Sequence, residues 1–152
     1  MLDVLKSFLS EFGEGTKPAP AFEAGDYRLA AAALLIHVMT IDGQEKEQEH
    51  DKLRAILRRE FDLDDKQTDA LIEAATAADR DAVDLYRFTS LINRSLDDSG
   101  RLRIVEMMWQ IVYADGKANE FEDNVIWRAA DLLHVSSRDR IEMRRRVSGQ
   151  DA

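Results

Sequence analysis

The stretch Ile41-Asp42-Gly43-Gln44-Glu45-Lys46-Glu47-Gln48-Glu49 has a counterpart 73 positions later, Ala114-Asp115-Gly116-Lys117-Ala118-Asn119-Glu120-Phe121-Glu122. In each, an apolar run stops at Asp-Gly, and a Glu follows the glycine six positions on, where a second amphipathic run begins. The same register sets Leu53 opposite Ile126. After a one-residue deletion it sets Phe61 opposite Leu133, Leu63 opposite Val135 and Asp64 opposite Ser136. Glycine closes a helix readily because it has no Cβ to clash in the left-handed conformation. Each copy therefore reads as helix, tight corner, helix, with two carboxylates beside the corner.

Outward from the corners, the flanking runs have helical periodicity. Residues 29–41 are apolar on most faces, as are residues 102–114 through Ile104, Val105, Met107, Met108, Trp109, Ile111 and Val112. Helices apolar all round belong at the centre of a core, so these two are expected to pack together. The stripe Leu53, Ile56, Leu57, Phe61 and the stripe Phe121, Val125, Ile126, Ala129, Leu132, Leu133 predict the second helix of each unit. Asp64 is a good N-cap for a helix through Ala78, a further helix is expected from Asp81 to Leu96, and Ser136 caps a last one carrying Ile141 and Val147. Asp97, Asp98, Ser99 and Gly100 read as a break, and every Gly is placed in a connection. No stretch sustains a period of two. The expected fold is all-α: a single-domain bundle of about seven or eight helices, with two pseudo-symmetric halves.

Residues 1–12 carry Leu2, Leu5, Phe8, Leu9 and Phe12 at helical spacing, and residues 13–25 hold both prolines and three of the seven glycines. The organisation expected is an amphipathic helix over 1–12, a linker over 13–25 and a helical domain over 26–148. The first helix either folds back on the domain or offers Leu5, Phe8 and Phe12 to a partner or membrane surface.

With 152 residues, one core is expected. The absence of cysteine excludes disulfides, thiolate metal sites and cysteine nucleophiles. A net charge of −9 disfavours nucleic acid and anionic membranes, since affinity for phosphate rests on excess Lys and Arg. Divalent cations or basic surfaces suit it better. No apolar run reaches the ~20 residues of a membrane span, and no signal peptide is recognisable, so the cytoplasm is the expected location.

Asp-Gly, five residues and Glu make the back half of an EF-hand loop, in which a sharp Gly turn precedes a bidentate Glu. The front half is missing: Val38 and Thr40, or Ile111 and Tyr113, stand where the first carboxylates belong. Capping explains part of the pattern. Asn119-Glu120-Phe121-Glu122 is a capping box, whereas Lys46 at the equivalent position is a poor cap. Capping alone and capping with divalent-cation binding both remain open. No pair of His37, His50 and His134 has the spacing of a zinc-binding helix, and no catalytic residue is assigned, since no nucleophile elbow or phosphate loop appears. Arg138, Arg140, Arg144, Arg145 and Arg146 cluster in the last helix, where cations suit the helix C-terminus; Arg144 and Arg145 are the candidate contacts for an acidic partner.

Tyr113-Ala114-Asp115-Gly116, then Glu122 and Ile126-Trp127-Arg128-Ala129-Ala130-Asp131-Leu132-Leu133, resemble the TerB-like tellurite-resistance family. Asp42-Gly43 with Glu49, and Asp84-Leu85-Tyr86-Arg87-Phe88-Thr89 with Leu91-Ile92-Asn93, resemble its first unit and middle helix. The resemblance runs from about Asp26 to Val147. It implies an all-helical bacterial domain linked to tellurite and general stress resistance, and the lack of a catalytic constellation makes a non-enzymatic one the expectation. It also implies acidic patches suspected of binding a divalent metal (Ca, Mg, Mn or Zn), and protein partners among membrane-associated or chaperone-linked systems. By matching position, Asp42, Glu49, Asp115 and Glu122 are the candidate metal residues. Lys46 and Lys117 depart from an all-acidic corner and oppose a cation there. The alternative implied is a purely protein-binding or chaperone-linked module without metal.

Overall fold

The structure, a computed structural model, is described for residue 22 and residues 25–41, 47–82, 84–115 and 119–149, with the side chain of Asp115 outside that set. Among these residues there are seven α-helices and no strand. They are α1 (Tyr27–Thr40), α2 (Glu47–Phe61), α3 (Asp65–Asp81), α4 (Tyr86–Ser95), α5 (Asp98–Val112), α6 (Glu120–Leu132) and α7 (Ser137–Ser148), with a 3-10 turn at Tyr113–Asp115 between α5 and α6. The expected helix over 1–12 and most of the linker lie outside the described residues. No described helix is long and apolar enough to cross a membrane.

Asp26 opens α1, its carboxylate accepting the Arg28 amide at 2.9 Å. Every residue from Leu29 to Ile36 is buried, as are Val38 and Met39. With no polar stripe to present, α1 sits at the centre, packed against α2, α3, α4, α5 and α6. Its run Ala30-Ala31-Ala32-Ala33 keeps that surface shallow, and Leu34 and Leu35 fill the core. Burying such a leucine contributes roughly 1.5–3 kcal/mol. The second all-round apolar helix, α5, packs against α1 as its composition predicts. Phe22, ahead of α1, lies against the core beneath the Arg28 guanidinium, 4.7 Å from the ring centroid.

The second helix of each unit ends in the same way. Asp62 and His134 adopt left-handed backbone, with φ of 54° and 63°. The amide of the next residue then returns five positions, Leu63 to the Arg58 carbonyl at 3.1 Å and Val135 to the Ala130 carbonyl at 2.9 Å. This is the Schellman pattern, followed in both places by an N-cap: Asp64 accepts the Gln67 amide at 2.7 Å and Ser136 accepts the Asp139 amide at 3.1 Å. At this link the local backbone recurs with the sequence repeat.

Two expectations are corrected. The helix expected from Asp81 starts at Tyr86, because α3 runs through Asp81 and the Asp84 carboxylate takes up the Tyr86 amide at 3.0 Å. The break expected over residues 97–100 is confined to Leu96 and Asp97. Asp97 caps α5 by accepting the Gly100 amide at 3.0 Å, so Gly100 stands in the first turn of a helix and not in a connection. A Cβ there would meet the Leu96 Cβ at 2.9 Å, and this close approach explains the glycine. The last helix buries Met143 in preference to Ile141, which is 47% exposed.

Candidate functional site

Glu49 and Glu122 are each the third residue of a helix, α2 and α6, and both are fully buried. Their position in the helical period accounts for this. Glu49 precedes Leu53 and Ile56 by four and seven residues, and Glu122 precedes Ile126 and Ala129 by the same intervals, so both carboxylates stand on the core-facing stripe. A buried carboxylate is costly unless it is paired or hydrogen-bonded, and the amides and dipole of a first helical turn supply part of that compensation.

At α6 the capping box is complete. The Asn119 side chain accepts the Glu122 amide at 2.8 Å, and Glu122 Oε1 accepts the Asn119 amide at 3.2 Å. A second box in the same chain does this work without a charge, Gln67 Oε1 accepting the Asp64 amide at 3.0 Å. Capping alone therefore does not require an ionised group at position 122.

The elements bearing the two corners are neighbours. Helix α2 packs against the 3-10 turn Tyr113–Asp115. Gln48 and Lys52 from its first turns, with Gln110, Tyr113 and Ala114 opposite, line a depression of about 650 Å³. Of the four carboxylates expected at the corners, Glu49 and Glu122 are therefore placed, Asp115 is placed by its backbone only, and Asp42 lies outside the described residues. Among the described residues no three His, Asp or Glu side chains converge as metal ligands.

The histidines are dispersed. His37 is half-buried with Nδ1 2.9 Å from a carboxylate oxygen of Asp79, His50 is half-buried in the first turn of α2, and His134 is exposed at the end of α6. Arg144 is turned inward. Its Nε donates to the Tyr113 hydroxyl at 2.9 Å, its guanidinium lies 5.3 Å from the Trp109 ring centroid, and it pairs with Asp123 at 3.3 Å. The hydrogen bond to Tyr113 raises its pKa above the ordinary arginine value, against the opposing effect of burial. Arg145 is exposed, 3.9 Å from Glu142. Leu5, Phe8 and Phe12 lie outside the described residues.

Reading the first-turn acids as helix-start residues overlooks their burial, although the signal was available: a Glu in register with an apolar stripe. Also unanticipated were the exposed large side chains Tyr86, Phe121 and Trp127. Phe121, assigned to the apolar stripe by spacing, is 58% exposed, and its neighbour Glu122 takes the core-facing position of that turn.

A family model described as "Tellurite resistance protein TerB" matches residues 28–145, from the first turn of α1 into the last turn of α7. No curated protein and no solved structure matches the chain.

Proposed function

The chain belongs to the TerB tellurite-resistance family, and from that premise we propose that it is a non-enzymatic, stress-associated interaction domain of the cytoplasm whose two acidic corners take up a divalent cation. The observation that carries this reading is the full burial of both Glu49 and Glu122. Glu stands at two matched core-facing positions, although in another capping box of the chain the neutral Gln67 suffices, and a ligand that takes carboxylate oxygens would account for both. The residue types at the corners suit a hard cation over a soft one, since they are carboxylates in a chain without cysteine. Calcium, magnesium and manganese take such oxygen sets, whereas zinc favours nitrogen and sulfur. Glu49 with Asp42, and Glu122 with Asp115, would hold the ion. It would supply positive charge that joins each corner to the helix that follows.

Calorimetry and thermal melting with each of the four cations test this, on the wild type and on Glu49→Gln and Glu122→Gln. Binding to the folded state alone stabilises by about 2.7 kcal/mol at a hundredfold excess over Kd, so a bound cation raises the midpoint and the double substitution abolishes the rise. Millimolar metal giving neither heat nor a shift in melting overturns the metal half of the reading.

A second reading, a protein-binding module that needs no metal, is favoured by the exposure of Phe121 (58%) and Trp127 (49%) on α6. Exposed aromatics are the residues that anchor interfaces. Protein components of a membrane-associated stress-resistance system are the partners this reading expects. Replacing both aromatics by Ala would abolish capture of such a partner without altering the fold or any response to metal.

A further inference from the structure

A separate depression of about 360 Å³ opens between the C-terminal end of α1, the α3–α4 connection and α6. Its apolar lining comes from Ile41, Leu85, Val125 and Leu132. A volume of this order lies in the range of small-molecule sites, and polar residues share the lining about equally with apolar ones. The polar residues in its wall are not equivalent. His37 and Asp79 answer one another at 2.9 Å, and Asp84 uses one carboxylate oxygen to accept the Tyr86 amide. Arg128 is exposed and, among the described residues, makes no ion pair or hydrogen bond. Asp84, from the α3–α4 connection, and Arg128, from α6, thus carry opposite charges around one depression without pairing with each other.

A ligand with the inverse charges and an apolar body satisfies all three features. A lone organic anion would meet Asp79, Asp84 and the negative field of the chain, and a lone amine would meet Arg128. A zwitterion has no net charge for that field to repel. We propose that this depression binds a free α-amino acid with an apolar or aromatic side chain. Its carboxylate is forked on the Arg128 guanidinium, the planar geometry that arginine matches best. Its ammonium lies at Asp84, and its side chain lies against Ile41, Leu85, Val125 and Leu132. The Tyr86 ring, 64% exposed at the rim, offers its face to the ammonium or to an aromatic side chain. The site includes none of the four corner carboxylates Asp42, Glu49, Asp115 and Glu122, so it stands or falls independently of the metal reading.

Calorimetric titration of the full chain with L-phenylalanine and L-leucine, beside the half-ligands 3-phenylpropionate and 2-phenylethylamine, is the test. The expected result is saturable binding of the amino acids, with each half-ligand weaker by roughly tenfold or more. Arg128→Gln and Asp84→Asn each weaken L-phenylalanine by a similar factor, while Arg138→Gln, on an exposed residue of α7, leaves it unchanged. Arg128 and Arg138 are exposed, and Asp84→Asn keeps an oxygen for the Tyr86 amide, so the variants keep the wild-type helical content and melting behaviour. The proposal is overturned if no amino acid binds at millimolar concentration, if either half-ligand binds as tightly as the amino acid, or if Arg128→Gln binds like the wild type.

Discussion

The indole N–H of Trp109 donates to the backbone carbonyl of Arg140 at 3.2 Å, joining the inner helix α5 to the C-terminal helix α7. Trp109 is 1% exposed, and the Arg144 guanidinium lies over its ring. Trp109→Phe keeps an aromatic ring in place but removes the donor and part of the packing. Its expected cost is about 1–3 kcal/mol, read as a lower urea midpoint at unchanged slope. A variant as stable as the wild type would show that this contact does not hold α7.

Asp62 and His134 hold left-handed backbone that a Cβ disfavours. Asp62→Gly and His134→Gly are therefore expected to stabilise the protein by up to ~1 kcal/mol each, glycine's greater freedom in the unfolded chain offsetting part of the gain. The two sites belong to different helix ends, so their effects should add. Destabilisation by either substitution would assign that side chain an interaction of its own.

The hydrogen bond from the Arg28 guanidinium holds the Asp26 carboxyl below its ordinary value of 3.8. A carboxyl whose folded-state pKa is depressed contributes stability that is present above the unfolded value and is lost as pH falls through the folded one. Asp26→Asn keeps a capping oxygen but cannot titrate. The stability difference between wild type and Asp26→Asn should thus be constant near neutrality and shrink as pH drops below about 4. A gap that widens on acidification would contradict the assignment. Asp26→Ala should cost ~1 kcal/mol at neutral pH through loss of the cap.

Asn119→Ala removes the acceptor for the Glu122 amide and should cost about 0.5–2 kcal/mol. Glu122→Gln retains an oxygen that can accept the Asn119 amide, so in metal-free buffer it should cost less than Asn119→Ala. Chemical denaturation of both variants in chelator separates the two jobs of this corner. A large loss for Glu122→Gln under those conditions would mean that the charge serves the fold itself.

Much of the architecture was legible because it is set by local rules. The unbroken apolar runs over 29–41 and 102–114 marked the two inner helices. Asp64, Asn119 and Ser136 each cap the helix that the sequence assigns to them. Over residues 81–85 the local rule misleads, because Asp81 suits the start of a helix better than the end of one and yet closes α3. The decision is made by the Asp84 carboxylate competing for the Tyr86 amide. Gly100 was misread because an unfavourable helix former is there for a tertiary reason, the approach of Leu96. Of the candidate site, Glu49 and Glu122 were identifiable from spacing, and their burial follows from their register with Leu53 and Ile126. The pairing of His37 with Asp79, 42 residues apart, has no signature in either local pattern. The same holds for Asp84 and Arg128, which line one depression from different elements.

Because α1 is enclosed from Leu29 to Ile36 by five other helices, it has no side on which to open separately. Its central amides should be among the slowest in the molecule to exchange with deuterium, at a rate set by global unfolding. Any rearrangement that accompanies recognition would then fall to the shell around this stationary axle, with Leu34 and Leu35 as fixed reference points against which displacement of the outer segments is measured.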